Sequence, residues 1–347
     1  MRNQNPKLVY TKLLDELTPS MRYDGKEDFF SWQKNARAKL WDLLGLDFFE
    51  KCDLDFKKEF VIENDDYTEI RFSFQSEPGY YVPAHLLIPK KLEGKKLIPM
   101  ICLQGHSKGM HISLARPKYK GDEESIAGGD RDFSIHAMKN GYCPIVMEQR
   151  YMGECGGDSE GVGCNTIIRR GLENNLSVMP SLLMGRCAIG ERVWDITRMI
   201  DAIIANFPEL DSDSITCMGN SGGGTATFYA ACIDERIKAA MPSCAVATYK
   251  NSIGNKHHCV CNYIPGIARY FDMGDLGGLI APRKLVVITG RDDSIFPLSS
   301  AQECMTITKK LYEYAGCPEN AAHVVGEGKH RFYAEPGFKK FNELFNK

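Results

Sequence analysis

Short apolar runs alternate with longer helix-like segments through most of the chain beyond residue 90, and this alternation constrains the fold more than any other feature. The runs "LIPMIC", "YCPIV", "SITCM" and "KLVVITG" are apolar almost throughout, as are strands that are covered on both faces. The segments between them, such as "GERVWDITRMIDAIIANF", repeat apolar residues at helical spacing. The order strand, helix, strand predicts an α/β protein with a mostly parallel central sheet and helices on both faces.

The sequence before this series has a different pattern. Residues 56–89 alternate polar and apolar residues in "EFVIEN", "EIRFSF" and "YYVPAHLLIP", interrupted by "SEPG", which predicts antiparallel strands at one edge of the sheet. Residues 6–50 carry Leu, Phe and Trp at helical spacing and no catalytic grouping. We therefore predict an N-terminal helical extension over 1–55, packed on the core, and one α/β domain over 56–347.

Charge and composition exclude several classes of function. The 43 Lys and Arg residues nearly balance the 45 Asp and Glu residues, so no net field would attract nucleic acid or an anionic membrane. The chain begins without an apolar signal segment and holds no apolar run of about 18 residues, which predicts a cytoplasmic protein with no membrane span. Its thirteen cysteines, several of them inside apolar runs, indicate buried reduced thiols. A small-molecule substrate fits this composition.

One apolar run leads directly into a serine surrounded by glycines. "SITCM" is followed by Gly219, Asn220, Ser221, Gly222 and Gly223, which match the pattern G-x-S-x-G, and then by the helix-like "TATFYAACI". In such a strand-turn-helix the turn is so sharp that side chains at Gly219 and Gly223 would collide, and the serine is exposed at its tip. The alternative is a glycine-rich turn whose serine caps the helix. The pattern favours Ser221 as a nucleophile.

A serine nucleophile needs a histidine base and an acid that orients the histidine, and candidates for both follow Ser221. "KLVVITG" leads into "RDDSIFP", which offers Asp292 and Asp293. Asp293 is favoured because "GRDDSIFP" resembles the G-x-x-D-x-x-x-P acid loop of many hydrolases, and Asp292 stays open. "AHVVGEG" leads into His330, whereas His323 begins that run and is expected to pack against the sheet. We predict Ser221, Asp293 and His330 as a catalytic triad.

Acyl transfer also needs N–H donors for the oxyanion. They are usually the N–H after the nucleophile and one from the loop after an early strand. Gly222 offers the first. "LQGHSKGM" follows "LIPMIC", so the backbone N–H of His106 is the second candidate.

The loop after "KAAMPSC" carries residue types that bind zinc. They are His257, His258, Cys259 and Cys261. Because no second paired cluster follows at a zinc-finger distance, and because a serine triad needs no metal, we expect neither a metal nor another cofactor. The loop is instead predicted to shape a substrate pocket, with Tyr263, Tyr270 and Asp272 as contributors.

Two further loops carry charged residues. Arg150 and Glu154 follow "YCPIV" and are either pocket residues or an ion pair that holds their loop. "AGGDRD" does not follow a predicted strand in a G-x-G-x-x-G arrangement, so it predicts no dinucleotide site. Its Arg131 and Asp132 are interpreted as structural.

Six stretches carry a wider resemblance: "SEPGYYVPAHLLIP", "LQGHSKG", "RYMGE", "GNSGGG", "CNYIPGIARYFDMGDLGGLIAPRKLVVITGRDDSIFP" and "GEGKHRFY". From about residue 60 the chain resembles the acetyl xylan esterase-like and dienelactone hydrolase-like branch of the α/β-hydrolases. The resemblance implies that Ser221, Asp293 and His330 match the family nucleophile, acid and base. Gln104 stands where many relatives carry histidine, and it joins the substrate-binding candidates.

The resemblance also implies a carboxylic-ester substrate, such as an acetyl group on a plant-type sugar. We predict a cytoplasmic serine esterase that acts on acetylated sugars or oligosaccharides through an acyl-enzyme. A serine peptidase of the oligopeptidase type is one alternative, although the residues before the first strands are too few for a gating domain. A catalytically silent hydrolase fold that binds a ligand is another. The sequence leaves homo-oligomer formation open, as well as the choice between a deacetylase and a methyl esterase of a sugar acid.

Overall fold

The computed structural model describes residues 5–156 and 178–345. Nine strands in these residues form one sheet. They are β1 (Lys57–Glu63), β2 (Tyr67–Glu77), β3 (Tyr80–Pro89), β4 (Pro99–Leu103), β5 (Cys143–Met147), β6 (Thr216–Asn220), β7 (Ala239–Ser243), β8 (Lys284–Gly290) and β9 (Ala321–Gly326). Their order across the sheet is β1-β2-β3-β5-β4-β6-β7-β8-β9.

The sheet is antiparallel at one edge and parallel elsewhere. β1, β2, β3 and β5 pair in antiparallel fashion, which confirms the strands predicted over 56–89. Every pair from β5 through β4, β6, β7 and β8 to β9 is parallel. The carboxyl ends of these parallel strands therefore lie along the same side of the sheet, and functional residues of such folds collect in the loops beyond these ends.

Helices cover both faces of the sheet, as predicted. They are α1 (Pro6–Glu16), α2 (Phe29–Leu43), α3 (Asp122–Gly129), α4 (Phe133–Lys139), α5 (Met179–Leu183), α6 (Ala188–Asn206), α7 (Gly222–Ile233), α8 (Met273–Leu276), α9 (Leu298–Tyr314) and α10 (Ala334–Phe345). Ile101 and Leu103 of β4 pack in one apolar core with α6 and α7, whereas Met100 and Cys102 pack in a second core with α4 and α10. Alternate side chains of the strand thus serve opposite faces.

The N-terminal helices differ in how they are held. Asp28 caps α2 by accepting a hydrogen bond from the Ser31 N–H at 2.8 Å. α2 buries Trp32 and Leu40, and the Gln33 side chain donates to the carbonyls of two residues that precede β8. No residue of α1 is buried. The division into 1–55 and 56–347 stays a prediction. In the part of the chain described here, no helix combines the length and the apolar character needed to cross a bilayer.

Candidate active site

Ser221 lies at the tip of the sharp turn between β6 and α7. Its backbone has φ 55° and ψ −121°, a conformation that few residues other than glycine adopt. Its N–H donates to the Ser243 carbonyl at 2.8 Å, which fixes the turn to the neighbouring strand. A Cβ at Gly219 would lie 2.5 Å from the carbonyl carbon of Gly223, and a Cβ at Gly223 would lie 2.1 Å from the Leu103 carbonyl oxygen. The glycines therefore permit a close approach of β6, α7 and β4 that a side chain would block.

His330 and Asp293 lie on the loops after β9 and β8, and they contact each other. His330 Nδ1 is 2.8 Å from Asp293 Oδ2. The other carboxylate oxygen of Asp293 accepts hydrogen bonds from the Ile295 and Phe296 N–H groups at 2.8 and 3.0 Å. Burial alone would raise the pKa of Asp293, but the hydrogen bond from His330 and these two amides lower it below its ordinary value. Asp292 is exposed, so the structure places Asp293, and not Asp292, against the imidazole.

Ser221 and His330 line one cavity of about 290 Å³. Part of its wall is the loop after β4, and another part is the segment from His257 to Asn262. Phe133 and Phe296 supply apolar faces. Such a volume is at the small end of ligand sites in proteins.

The loop after β4 lies directly against the serine. A Cβ at Gly105 would lie 2.8 Å from the Asn220 carbonyl oxygen and 3.1 Å from the Ser221 Cβ. A Cβ at Gly222 would lie 2.7 Å from the His106 ring. Gly222 is the first residue of α7. The N–H groups of the first turn of a helix have no acceptor within the helix, and the Gly222 N–H is one of them. The two N–H groups predicted for the oxyanion therefore come from backbone segments in contact with Ser221.

A buried carboxyl group supports this loop from below. Gln104 Nε2 lies 2.5 Å from Glu148 Oε1, and the Met110 N–H donates to both Glu148 oxygens at 3.2 and 3.0 Å. Burial raises the pKa of Glu148 to about 8. The Gln104 carbonyl also accepts a hydrogen bond from Gln149. Glu148 and Gln149 thus hold the two ends of the loop that carries His106.

Of the predicted substrate-binding residues, Gln104 lines the cavity and the others lie elsewhere. Arg150 is buried and forms a bidentate pair with Asp195 at 2.9 Å for both contacts. Glu154 pairs with Arg71 at 2.6 Å. Arg150 and Glu154 are therefore not paired with each other, contrary to the ion-pair alternative.

The two predicted tyrosines lie on the loop after β7, and Tyr270 is half-buried against the main apolar core. Tyr263 is exposed, and the Lys39 ammonium lies 4.4 Å from the centre of the Tyr270 ring. Neither tyrosine is part of the cavity wall around Ser221.

The zinc-type residues of this loop are only partly brought together. Cys259 and Cys261 form a group with His106 in which the three ligand atoms lie within 4.8 Å of one another, whereas His258 contacts the Ser252 hydroxyl. An imidazole and two thiols are ligand types for zinc. A guanidinium nitrogen of Arg192, 3.4 Å from Cys261 Sγ, places a positive charge beside them. The His106 Nε2 to Cys261 Sγ contact of 3.0 Å connects the loop after β4 to the loop after β7.

The sequence analysis interpreted Arg131 as structural, whereas the structure places it in the cavity wall beside Phe133. Arg131 follows α3, and α3 ends at Asp130 in a left-handed conformation with φ 48°. No motif marks this arginine, because its position depends on how the segment between β4 and α4 folds over the carboxyl edge of the sheet. His323, in contrast, lies within β9 as expected, and burial lowers its pKa to about 4.

No protein-family model matches the chain. The chain is 26% identical over 242 residues to the "Putative hydrolase YtaP" of Bacillus subtilis (strain 168), which covers 67% of this chain and 72% of that protein. A "putative acetyl xylan esterase" from Bacteroides fragilis NCTC 9343 superposes with a TM-score of 0.73 at 14% identity, over 99% of this chain and 90% of that one. A glucuronoyl esterase from Solibacter usitatus gives a TM-score of 0.65 at 15% identity, over 95% and 97%.

These likenesses show that the chain has the α/β-hydrolase fold. The fold-level resemblance to acetyl xylan esterase-like α/β-hydrolases is therefore confirmed. The fold hosts many activities, so the chemistry of this chain depends on the residues around Ser221.

Proposed function

We propose that this chain, an α/β-hydrolase by fold, is a serine carboxylic-ester hydrolase. The observation that carries the proposal is the contact of 2.8 Å between His330 and the buried Asp293, at the wall of the cavity that Ser221 also lines. An imidazole oriented by a carboxylate beside a serine on a sharp turn is the arrangement that activates a hydroxyl for attack on a carbonyl.

Each residue has one role in the proposed reaction. Ser221 attacks the ester carbonyl carbon while His330 accepts the hydroxyl proton, and the backbone N–H groups of Gly222 and His106 stabilise the oxyanion. His330 then gives its proton to the leaving alcohol, and the acyl group stays on Ser221. Asp293 holds the His330 ring in the tautomer that carries a proton on Nδ1. Water attacks the acyl-enzyme with His330 as base, which releases the acid.

An acetyl ester of a sugar or oligosaccharide is the proposed substrate. The cavity of about 290 Å³ suits a short acyl group with part of one sugar ring, and Phe133 and Phe296 offer apolar faces to that ring. The name of the Bacteroides fragilis protein points the same way, and the name of the Solibacter usitatus enzyme points to another sugar-linked ester. We also retain the cytoplasm as the proposed location, because a chain with many buried thiols suits a reducing compartment.

Hydrolysis of 4-nitrophenyl acetate, butyrate and octanoate by the wild type and by Ser221→Ala tests the proposal. We expect activity on the acetate alone, and a loss of about 10⁴-fold or more in the variant. Equal activity of the two proteins would place the chemistry elsewhere. Cleavage of aminoacyl-arylamides without cleavage of these esters would favour the peptidase, and two inert proteins would favour the silent fold.

The matched pair Asp293→Asn and Asp292→Asn tests the assignment of the acid. Asparagine at 293 keeps the shape but cannot hold the correct His330 tautomer, so we expect kcat to fall by about 10⁴-fold. Asparagine at 292 changes an exposed residue and should leave kcat near the wild-type value. The reverse result would make Asp292 the acid.

A further inference from the structure

Arg131 is a cation in the wall of the cavity that Ser221 and His330 share. Its side chain folds over Gly129, where an added Cβ would lie 2.8 Å from the Arg131 Nε. One guanidinium nitrogen donates to the Ser125 hydroxyl. The glycine and the serine therefore hold the arginine in place without neutralising its charge.

The acidic residues beside Arg131 are engaged with other groups. Asp130 accepts hydrogen bonds from Arg331 and from the Ala334 N–H, and Asp132 pairs with His136 at 3.1 Å. Over residues 5–156 and 178–345, no carboxylate forms an ion pair with Arg131. Burial and the nearby positive charge of Arg331 lower the pKa of Arg131, which means that its charged form gains from an added anion.

The cavity wall supplies no such anion either. Among the described lining residues there is no aspartate or glutamate, and the nearest catalytic carboxylate, Asp293, is turned to His330. A half-buried arginine facing an acid-free cavity attracts a negatively charged group. Because a guanidinium presents planar paired donors, a carboxylate is the anion that it binds in a bidentate way.

We propose that Arg131 forms a subsite for a free carboxylate on the alcohol part of the substrate, so that the preferred substrate is an acetylated sugar acid. This inference rests on the proposed esterase function. The carboxylate that Arg131 binds is not the reacting ester, and it stays unchanged through the reaction. Binding it fixes the sugar so that the acetyl carbonyl faces Ser221.

Two substrates that differ in one group test the subsite: an acetylated methyl galacturonoside and the corresponding acetylated methyl galactoside. For the wild type we expect kcat/KM to be about 10- to 100-fold higher for the acid sugar, the usual range for hydrogen bonds to a charged group. In Arg131→Gln the ratio should fall to about one, because kcat/KM for the acid sugar falls more than kcat/KM for the neutral sugar. Arg131→Lys should keep part of the preference, because it keeps the charge but not the planar donors.

Lys118→Gln is the matched control. Lys118 is an exposed cation at a different cavity, so its removal changes the net charge equally and should leave the preference intact. A wild-type ratio of one would overturn the subsite. So would an equal loss on both sugars in Arg131→Gln, or an equal loss of preference in Lys118→Gln. Equal preference for an acetylated galactoside 6-sulfate would overturn the carboxylate assignment.

Calorimetric titration of the Ser221→Ala variant separates this inference from the proposed function. Failure of the wild type to hydrolyse any of these esters would refute the esterase. Binding of the galacturonoside by Ser221→Ala that is lost on adding Arg131→Gln would still establish the carboxylate subsite. Equal binding of the galacturonoside and the galactoside would refute the subsite, whatever the enzyme hydrolyses.

Discussion

Replacing Arg150 by methionine distinguishes a structural role for this arginine from the substrate-binding role expected from the sequence. The Arg150 side chain is 9% exposed and that of Asp195 is 1% exposed, and two nitrogens of the one meet two oxygens of the other at 2.9 Å. Methionine fills much of the same space, but among residues 5–156 and 178–345 it leaves the buried Asp195 carboxylate with the Ser76 hydroxyl as its one remaining hydrogen-bond partner. Breaking a buried pair from one side costs about 3–5 kcal/mol in the free energy of unfolding.

The loss of stability should depend on pH in a defined direction. Burial raises the pKa of Asp195, and Arg150 counteracts that effect. Without Arg150 the folded-state pKa of Asp195 lies further above its unfolded-state pKa of about 3.9. Below the unfolded-state pKa the carboxyl group is neutral in both states, so the cost of burying its charge is absent. It grows as the pH rises through the folded-state pKa. The deficit of Arg150→Met relative to the wild type should therefore be larger at pH 8 than at pH 5.

Urea unfolding followed by tryptophan fluorescence measures the loss of stability and its dependence on pH. Trp194 lies near the Arg150–Asp195 pair, since its indole N–H donates to the carbonyl of Ser76, whose hydroxyl contacts Asp195. The double variant Arg150→Met, Asp195→Asn is the control, because it removes both charges and should regain part of the stability. Glu77 keeps its second partner, Arg186, at 2.9 Å in both variants. A stability within about 1 kcal/mol of the wild type together with a raised KM would refute the structural role.

Two further changes test the sharp turn at Ser221 and the buried carboxyl group of Glu148 that supports the loop after β4. Gly223→Ala should abolish esterase activity or folding, because its Cβ would lie 2.1 Å from the Leu103 carbonyl oxygen. Gly128→Ala in α3 is the control: its Cβ meets nothing within 4 Å, so activity and melting temperature should stay near those of the wild type. Normal activity in Gly223→Ala would disprove the close approach. The pKa of Glu148 is about 8 in the folded state and about 4.3 in the unfolded state, so Glu148 lowers the stability of the wild type as the pH rises between these values. The stability of Glu148→Gln relative to the wild type should therefore improve over that range. A constant difference between pH 5 and pH 8 would count against a neutral buried Glu148.

The sequence predicted the sheet and the loops of the candidate triad because both depend on local patterns. Ser221, Asp293 and His330 each follow a short apolar run, and in a parallel sheet the ends of such runs meet at one edge. The glycines beside Ser221 also carry their own signal, since only a crowded turn needs them.

The surroundings of the triad could not be predicted in the same way. Arg150 belongs with Asp195, a residue of α6, and the pairing depends on how that helix packs on the strand edge. Glu148 ends an apolar run, but its burial beneath Gln104 arises only when the loops after β4 and β5 meet. Arg131 reaches the cavity because α3 ends at Asp130, whose backbone is in the left-handed conformation. The charge pattern of "AGGDRD" does not predict this turn of the chain.

The order of the proposed triad along the chain determines when activity would arise during synthesis. The turn that carries Ser221, between β6 and α7, leaves the ribosome well before the loop that carries Asp293, after β8, and His330 follows last, after β9. A nascent chain that stops before β9 contains Ser221 but lacks His330, the proposed base that would activate its hydroxyl. Ester hydrolysis by the proposed triad during cell-free translation would therefore begin only after the final parallel strand has been synthesised.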